Sequence, residues 1–182
     1  MSKLPFEIER KYLIKKPDEE FLNSVCQKKL KISQTYLVSD IQGFSQRVRR
    51  IFDGNETSYI MTEKKDITAI KRIEFERNIS EKEYNQLILH KKAPVTSTIE
   101  KTRYVINHGK FNFEIDLFDL WQDYALMEIE LESQEEQFDF CDFMSFAENV
   151  HGNTKIVILK EVTQDKKYRN FSLAKGFPKD IL

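Results

Sequence analysis

The sequence predicts an α+β protein in which about eight antiparallel strands close into a barrel, with charged faces lining the interior and helices packed on the outside. Three observations point there. Apolar and charged residues alternate with period two in segment after segment between Phe6 and Glu132, the spacing of strands with two unlike faces. The charged faces are depleted in the Ser, Thr and Gln that dilute a solvated sheet face. Carboxylate pairs (Glu7/Glu9, Glu74/Glu76, Glu114/Asp116, Glu128/Glu130) also fall on different segments from the basic pairs Arg47/Arg49 and Lys101/Arg103. Periodicity alone is also compatible with an open sheet whose charged face meets water. A barrel accounts for the segregation as well, and its desolvated charges would have to be paired or bound to ions.

With 182 residues, 40% of them apolar, the chain supports one core and a single domain over residues 1–182. A net charge of -1 from 29 basic and 30 acidic residues argues against a general nucleic-acid binder. No apolar run is long enough for a bilayer and no secretory core opens the chain, so a cytoplasmic protein without a membrane partner is expected. A homodimer is compatible with the composition. Cys26 and Cys141 lie far apart, and His90, His108 and His151 are isolated, so neither a zinc site nor a disulfide framework is expected.

Taken in order, Phe6 to Ile14 is a strand with Glu7, Glu9 and Lys11 on one face. Arg10 has the opposite parity. Pro17 to Lys29 predicts a surface helix, with acidic residues in its first turn and Phe21, Leu22 and Val25 on one stripe. Lys31 to Asp40 and Ser45 to Phe52 predict strands, the second carrying Arg47 and Arg49. Asp53-Gly54-Asn55 predicts a hairpin into Thr57 to Lys64, where Ile60, Thr62 and Lys64 share a face. Lys65 to Ile70 is a loop, and Arg72, Glu74 and Glu76 mark the next strand. Ser80 to Glu83 is a capping box for a helix with Tyr84, Leu87 and Ile88 on its apolar stripe. Past Pro94, Lys101 to Ile106, Lys110 to Leu120 (after a turn at His108-Gly109) and Ala125 to Glu132 read as strands. Ser133 with Glu136 predicts a second capped helix, carrying Phe138, Cys141, Phe143, Met144 and Phe146 and ending near Gly152. Ile156 to Val162 is a short strand, and Asp165 to Gly176 a turn with a short terminal helix.

Clustered carboxylates without His or Cys suit hard, oxygen-seeking cations, Mg²⁺ or Mn²⁺. Arg and Lys on facing strands suit phosphate oxygens. Metal plus basic clamp is the arrangement for phosphoryl transfer, and Lys11, Arg47, Arg49, Lys64, Arg72, Lys101 and Arg103 would surround a linear polyphosphate.

These residues, in this order, resemble the CYTH superfamily of triphosphate tunnel metalloenzymes over nearly the full length. Glu7-x-Glu9-x-Lys11, Arg47-x-Arg49, Lys64, Arg72-x-Glu74-x-Glu76, Lys101-x-Arg103, Glu114-x-Asp116 and Glu128-x-Glu130 follow the family sequence of motifs. Val162-Thr163 and Lys167 to Asn170 are similar to its C-terminal signature. The chain departs from the pattern at Glu63, charged where an apolar residue is usual, and in the glycine-poor loop Lys65 to Ile70.

The resemblance implies an eight-stranded tunnel, a C-terminal helix near one end, and divalent-metal-dependent hydrolysis of a small-molecule triphosphate with two metal ions. It implies Glu7, Glu9, Asp116, Glu128 and Glu130 as metal ligands. Lys11, Arg47, Arg49, Lys64, Arg72, Lys101, Arg103 and Lys167 are implied as triphosphate ligands, and Glu9, Lys11, Glu74, Lys101 and Glu130 as the catalytic group. Glu74, Glu76 and Glu114 are expected to position water or orient the basic residues. The phrases Glu7 to Leu13 and Ile99 to Tyr104 look most like small bacterial inorganic triphosphatases. Hydrolysis of tripolyphosphate to pyrophosphate and phosphate is therefore expected, ahead of thiamine triphosphatase, adenylate cyclase and a non-catalytic polyphosphate- or nucleotide-binding module.

Overall fold

The structure, a computed structural model, describes residues 6–39, 41–68, 71–91 and 98–179. The alternating segments form β1 (Phe6–Lys15), β2 (Lys28–Leu37), β3 (Ser45–Phe52), β4 (Thr57–Asp66), β5 (Lys71–Asn78), β6 (Thr98–His108), β7 (Phe111–Phe118) and β8 (Tyr124–Glu130). Each pairs antiparallel with its neighbours in the order β1-β5-β4-β3-β2-β6-β7-β8, and β8 returns to β1, so the eight strands close into the expected barrel. Closure turns on β1. One of its edges pairs with β8 from Glu9 to Lys15. Its other edge is divided, Phe6–Ile8 pairing with β5 and Tyr12–Ile14 with β10 (Ile156–Glu161), which carries the parallel strand β9 (Met144–Phe146).

Local chemistry explains the turns and caps. Asp53 accepts hydrogen bonds from the N–H groups of Asn55 (2.8 Å) and Glu56 (2.9 Å), while Gly54 takes a left-handed φ of +102° that a side chain would strain. This holds β3 and β4 in register from Phe52↔Thr57 onward. Helix α1 (Glu19–Val25) is capped by Asp18, which accepts from the N–H of Phe21 at 2.8 Å, and is tied to β6 by the Tyr104 hydroxyl donating to Glu19 at 2.9 Å. It ends before the expected Lys29 because Lys28 to Leu30 are recruited to the ladder with β6. Helix α2 (Glu81–Lys91) begins where Ser80 Oγ accepts from the N–H of Glu83, and its Tyr84, Leu87 and Ile88 cover Leu37, Val48, Tyr59 and Met61 on the outside of the barrel. Asp40, residues 69 and 70 of the Lys65 to Ile70 loop, and Pro94 lie outside the described residues.

The expected helix from Ser133 to Gly152 does not form. That segment runs through turns and extended chain into β9 and a short 3-10 turn at Ala147–Asn149. Glu136 does reach back to a backbone N–H, that of Glu132 (2.6 Å), as a capping glutamate would. Tertiary packing then decides the conformation, because Phe138, Phe140 and Phe146 set their rings edge-on around Tyr12 at 6.4, 5.4 and 6.4 Å. An extended chain spreads these aromatics over the outer face of β1, β7 and β8, whose Tyr12, Phe113, Ile115 and Ile129 belong to the main apolar core.

The interior is apolar at one end only. Leu13, Ile99, Phe118 and Leu126 turn inward there and meet Trp121, Val162, Tyr168, Leu173 and Ala174, so the terminal helix α3 (Asn170–Leu173) and the turn before it fill that end of the barrel. Among the described residues no helix is long and apolar enough to cross a membrane. Leu126 is fully buried in this plug. Leu126→Ala is expected to lower unfolding stability by about 3 kcal/mol in denaturant titrations, and a loss below about 1 kcal/mol would contradict the packed plug.

Candidate functional site

Beside the plug, strand parity sends the charged faces into one cavity of about 650 Å³. Glu7, Glu9 and Lys11 come from β1, Arg47 and Arg49 from β3, and Lys64 from β4. Arg72, Glu74 and Glu76 come from β5, Lys101 and Arg103 from β6, Glu114 from β7, and Glu128 and Glu130 from β8. Register places Glu9 opposite Glu130, Lys11 opposite Glu128, Glu7 opposite Arg72 and Lys64 opposite Glu74, and paired residues in such a ladder share a face.

The charges form one string of alternating sign. Lys101 Nζ lies 2.5 Å from Asp116, whose two oxygens accept from Arg103 Nε and Nη2, both at 2.7 Å. Arg103 also bonds Glu114 and, at 2.8 Å, Glu128, whose other oxygen lies 2.7 Å from Lys11 Nζ in an ion pair. From Lys11 the string continues through Glu9 (3.6 Å), Arg72 (3.1 Å from Glu9) and Glu7 (3.8 Å) to Lys64 (2.6 Å from Glu7). Lys64 pairs with Glu74, and Glu74 lies 3.6 Å from Arg47. Beside this string, Arg49 pairs with Glu76. The Nε atoms of Arg47 and Arg49 are nonetheless buried without a hydrogen-bond partner among the described residues.

Burial and neighbours set the protonation. Burial would raise Glu128, but Lys11, Arg103 and Lys101 hold its carboxyl well below the ordinary range. Burial, then its hydrogen bond to Glu7, pushes Glu74 up, so Glu74 holds the proton that this carboxyl pair shares. Burial and the Arg103 charge bring Lys101 down to about 8. Glu130 is raised by burial and by the charges of Glu7 and Glu9.

A model of the CYTH domain family matches residues 5–167. The chain belongs to the CYTH domain family. Among solved structures, this CYTH domain is similar to the PH1012 protein of Pyrococcus horikoshii OT3 (18% identity, TM-score 0.53, covering 71% of this chain and 80% of that one). It is also similar to the PH1819 protein of the same organism (18% identity, TM-score 0.54, 71% and 80% covered). A third similar structure is a Vibrio parahaemolyticus protein named as a candidate adenylate cyclase (20% identity, TM-score 0.51, 72% and 80% covered). At these identities the likeness shows a shared fold. No curated protein matches the chain significantly.

The CYTH barrel gathers Glu7, Glu9, Lys11, Arg47, Arg49, Lys64, Arg72, Glu74, Lys101, Arg103, Glu128 and Glu130 in its lumen, as their parity predicts. Two expected positions differ. Asp116 is fully buried behind Lys101 and Arg103 and does not line the cavity, so it orients cations instead of facing a ligand. Lys167 lies exposed in the turn Lys166–Tyr168 and does not line the cavity either. The cation from this segment that reaches the lining is Arg169, which pairs with Asp66 at 2.5 Å. Glu128, expected as a metal ligand, lines the lumen with both oxygens already engaged by Lys11 and Arg103. Gln34, Tyr36, Asn170 and Phe171, which no sequence motif marks as site residues, also line the cavity. The parity of β2 marks the first two, since Gln34 and Tyr36 share the inward face with Arg49 and Arg47 across the ladder.

Among the described residues no three His, Cys, Asp or Glu side chains are gathered as a ready coordination shell. The chemistry of Glu7, Glu9 and Glu130 still fits a hard divalent cation. The donors are all oxygen, Glu9 faces Glu130 in register, and the mutual repulsion that raises Glu130 is what a cation would relieve. Glu74 also generates a pH prediction. The folded protein keeps a proton there that the unfolded chain releases, so stability falls as pH rises above about 5, and Glu74→Gln is expected to flatten that slope in unfolding titrations. An unaltered slope would contradict the shared proton.

Proposed function

We propose that the protein hydrolyses a triphosphate in a divalent-metal-dependent reaction, with inorganic tripolyphosphate as the substrate cleaved to pyrophosphate and phosphate. The observation that carries this reading is the convergence of eight basic side chains, Arg169 among them, on one lumen that eight carboxylates also line. Such a lining is close to neutral as a whole. A polyanion alone would satisfy the basic residues and strand the carboxylates, whereas a polyanion with divalent cations satisfies both. Membership of the CYTH domain family supports the reaction class.

On this reading Arg47 and Arg49, with their unpartnered Nε donors, grip phosphoryl oxygens through planar forks, and Lys11, Lys64, Arg72, Lys101 and Arg103 complete the clamp. Lys11, Arg47, Arg49, Lys64 and Arg72 exchange a carboxylate partner for phosphate as the substrate enters, so the charges are positioned before binding and reorganise little. Asp116, Glu114 and Glu128 hold Arg103 in place during that exchange, and protonated Glu74 leaves Lys64 freer to turn toward phosphate. Glu7, Glu9 and Glu130 would hold Mg²⁺ or Mn²⁺. Such ions would supply charge neutralisation at phosphoryl oxygens and activation of water. The leaving pyrophosphate keeps its charge compensated by the basic clamp.

One observation favours thiamine triphosphate as a second substrate. Phe6 and Phe171, 40% and 45% exposed, line the same cavity and offer rings on which a flat organic group could stack. The test is a panel of tripolyphosphate, thiamine triphosphate and ATP with Mg²⁺ or Mn²⁺, assayed for phosphate, pyrophosphate and cyclic AMP. Tripolyphosphate is expected to turn over fastest, and tight binding of all three without turnover would instead mark a binding module. Glu9→Gln is expected to lower turnover by about a hundredfold or more while leaving the melting temperature near wild type, and full activity in that variant would contradict the metal assignment.

A further inference from the structure

We propose that Tyr36 is a substrate-binding residue whose phenolic O–H donates to a phosphoryl oxygen of the bound triphosphate, at the boundary between the charged lumen and the apolar plug. The inference rests on the triphosphate reading above and adds an uncharged contact to it. Strand β2 sends no charge into the lumen; its contribution there is Gln34 and Tyr36, 1% and 6% exposed. Gln34 Nε2 donates to the Tyr36 hydroxyl at 2.8 Å. Arg47 stands directly opposite Tyr36 in the β2/β3 ladder, and its guanidinium acts on the same oxygen. The Tyr36 ring packs edge-on against Phe171 of the terminal helix at 5.0 Å, which fixes the phenol from behind.

A phenol has one proton to donate and two lone pairs to accept with. Here the neighbours on the hydroxyl are donors, Gln34 and Arg47. Among the described residues no hydrogen bond carries the proton itself to an acceptor, and the two oxygens of the nearby Glu128 carboxylate are ion-paired, one 2.7 Å from Lys11 and the other 2.8 Å from Arg103. A buried donor without an acceptor is unfavourable, and it is satisfied when an oxygen enters the cavity beside it. Lys11 and Arg47 lie within electrostatic range of the hydroxyl, so the favoured oxygen is anionic. Burial also raises the phenol above its ordinary value, which keeps it a donor at neutral pH. Gln34 and the plug therefore act as a mount that presents one neutral donor among the cations.

Tyr36→Phe removes the donor and keeps the ring on Phe171, so it separates binding from packing. Titration of imidotriphosphate, a hydrolysis-resistant tripolyphosphate, into the protein by calorimetry in the presence of Mg²⁺ is expected to show binding about tenfold weaker or more in Tyr36→Phe than in wild type, with an unchanged melting temperature. Placed in an Arg47→Lys background, the substitution is expected to weaken binding by about fivefold or more again. Equal affinity of Tyr36→Phe and wild type would overturn the contact. So would an effect that vanishes in the Arg47→Lys background, because Tyr36 would then act only by holding Arg47. Wild-type protein that fails to bind the triphosphate with Mg²⁺ present would overturn the triphosphate reading itself, and this contact with it, a result distinct from both others.

Discussion

Arg103 bonds both oxygens of Asp116 and one oxygen each of Glu128 and Glu114, and through those carboxylates it is joined to Lys101 on one side and Lys11 on the other. Everything inside the barrel depends on this junction. A guanidinium and a carboxylate in an interior are each expensive to desolvate, and the string of alternating charge from Lys101 to Arg47 is how the fold meets that expense. Packed apolar side chains would fill the same space at least as stably. A barrel that holds paired charges in their place is therefore arranged for something other than stability, and the unpartnered Nε donors of Arg47 and Arg49 show where the pairing is left open.

Stability comes from elsewhere in the molecule. The outward faces of β1, β6, β7 and β8 pack under α1 and the aromatic segment around Phe138 and Phe140, while α2 covers β3 and β4. The plug adds a third apolar cluster, inside the barrel and at one end. Strand β1 belongs to all of these arrangements. Its outward residues Ile8, Tyr12 and Ile14 enter the main core, Leu13 enters the plug, and Glu7, Glu9 and Lys11 enter the lumen. Its divided edge, pairing with β5 at one end and β10 at the other, closes the barrel and attaches the chain that leads into the plug.

The barrel and most of the lumen were legible because period-two alternation states which face each residue takes, and Asp53-Gly54 states where the chain reverses. Closure brings the like-parity residues together without further information. The segment from Ser133 to Gly152 was not legible, since its capping-box residues satisfy a helix start locally while the rings of Phe138 and Phe140 find better partners around Tyr12. Asp116 had the right parity, but its burial behind two cations depends on the reach of Lys101 and Arg103 across the ladder. Arg169 rather than Lys167 lines the lumen because of how a short turn docks, and spacing carries no signal for that. Gln34 and Tyr36 were readable by parity but are neutral, so a search for charge passed over them.

The lining of the lumen fits a polyphosphate and divalent cations bound together. A crystal structure of the protein soaked with tripolyphosphate and Mn²⁺, with the metal located by its anomalous signal, tests this most directly. The polyphosphate is expected among Arg47, Arg49, Lys101 and Arg103, with manganese against Glu7, Glu9 and Glu130. Polyphosphate bound only outside the barrel, or manganese located away from those three carboxylates, would contradict it.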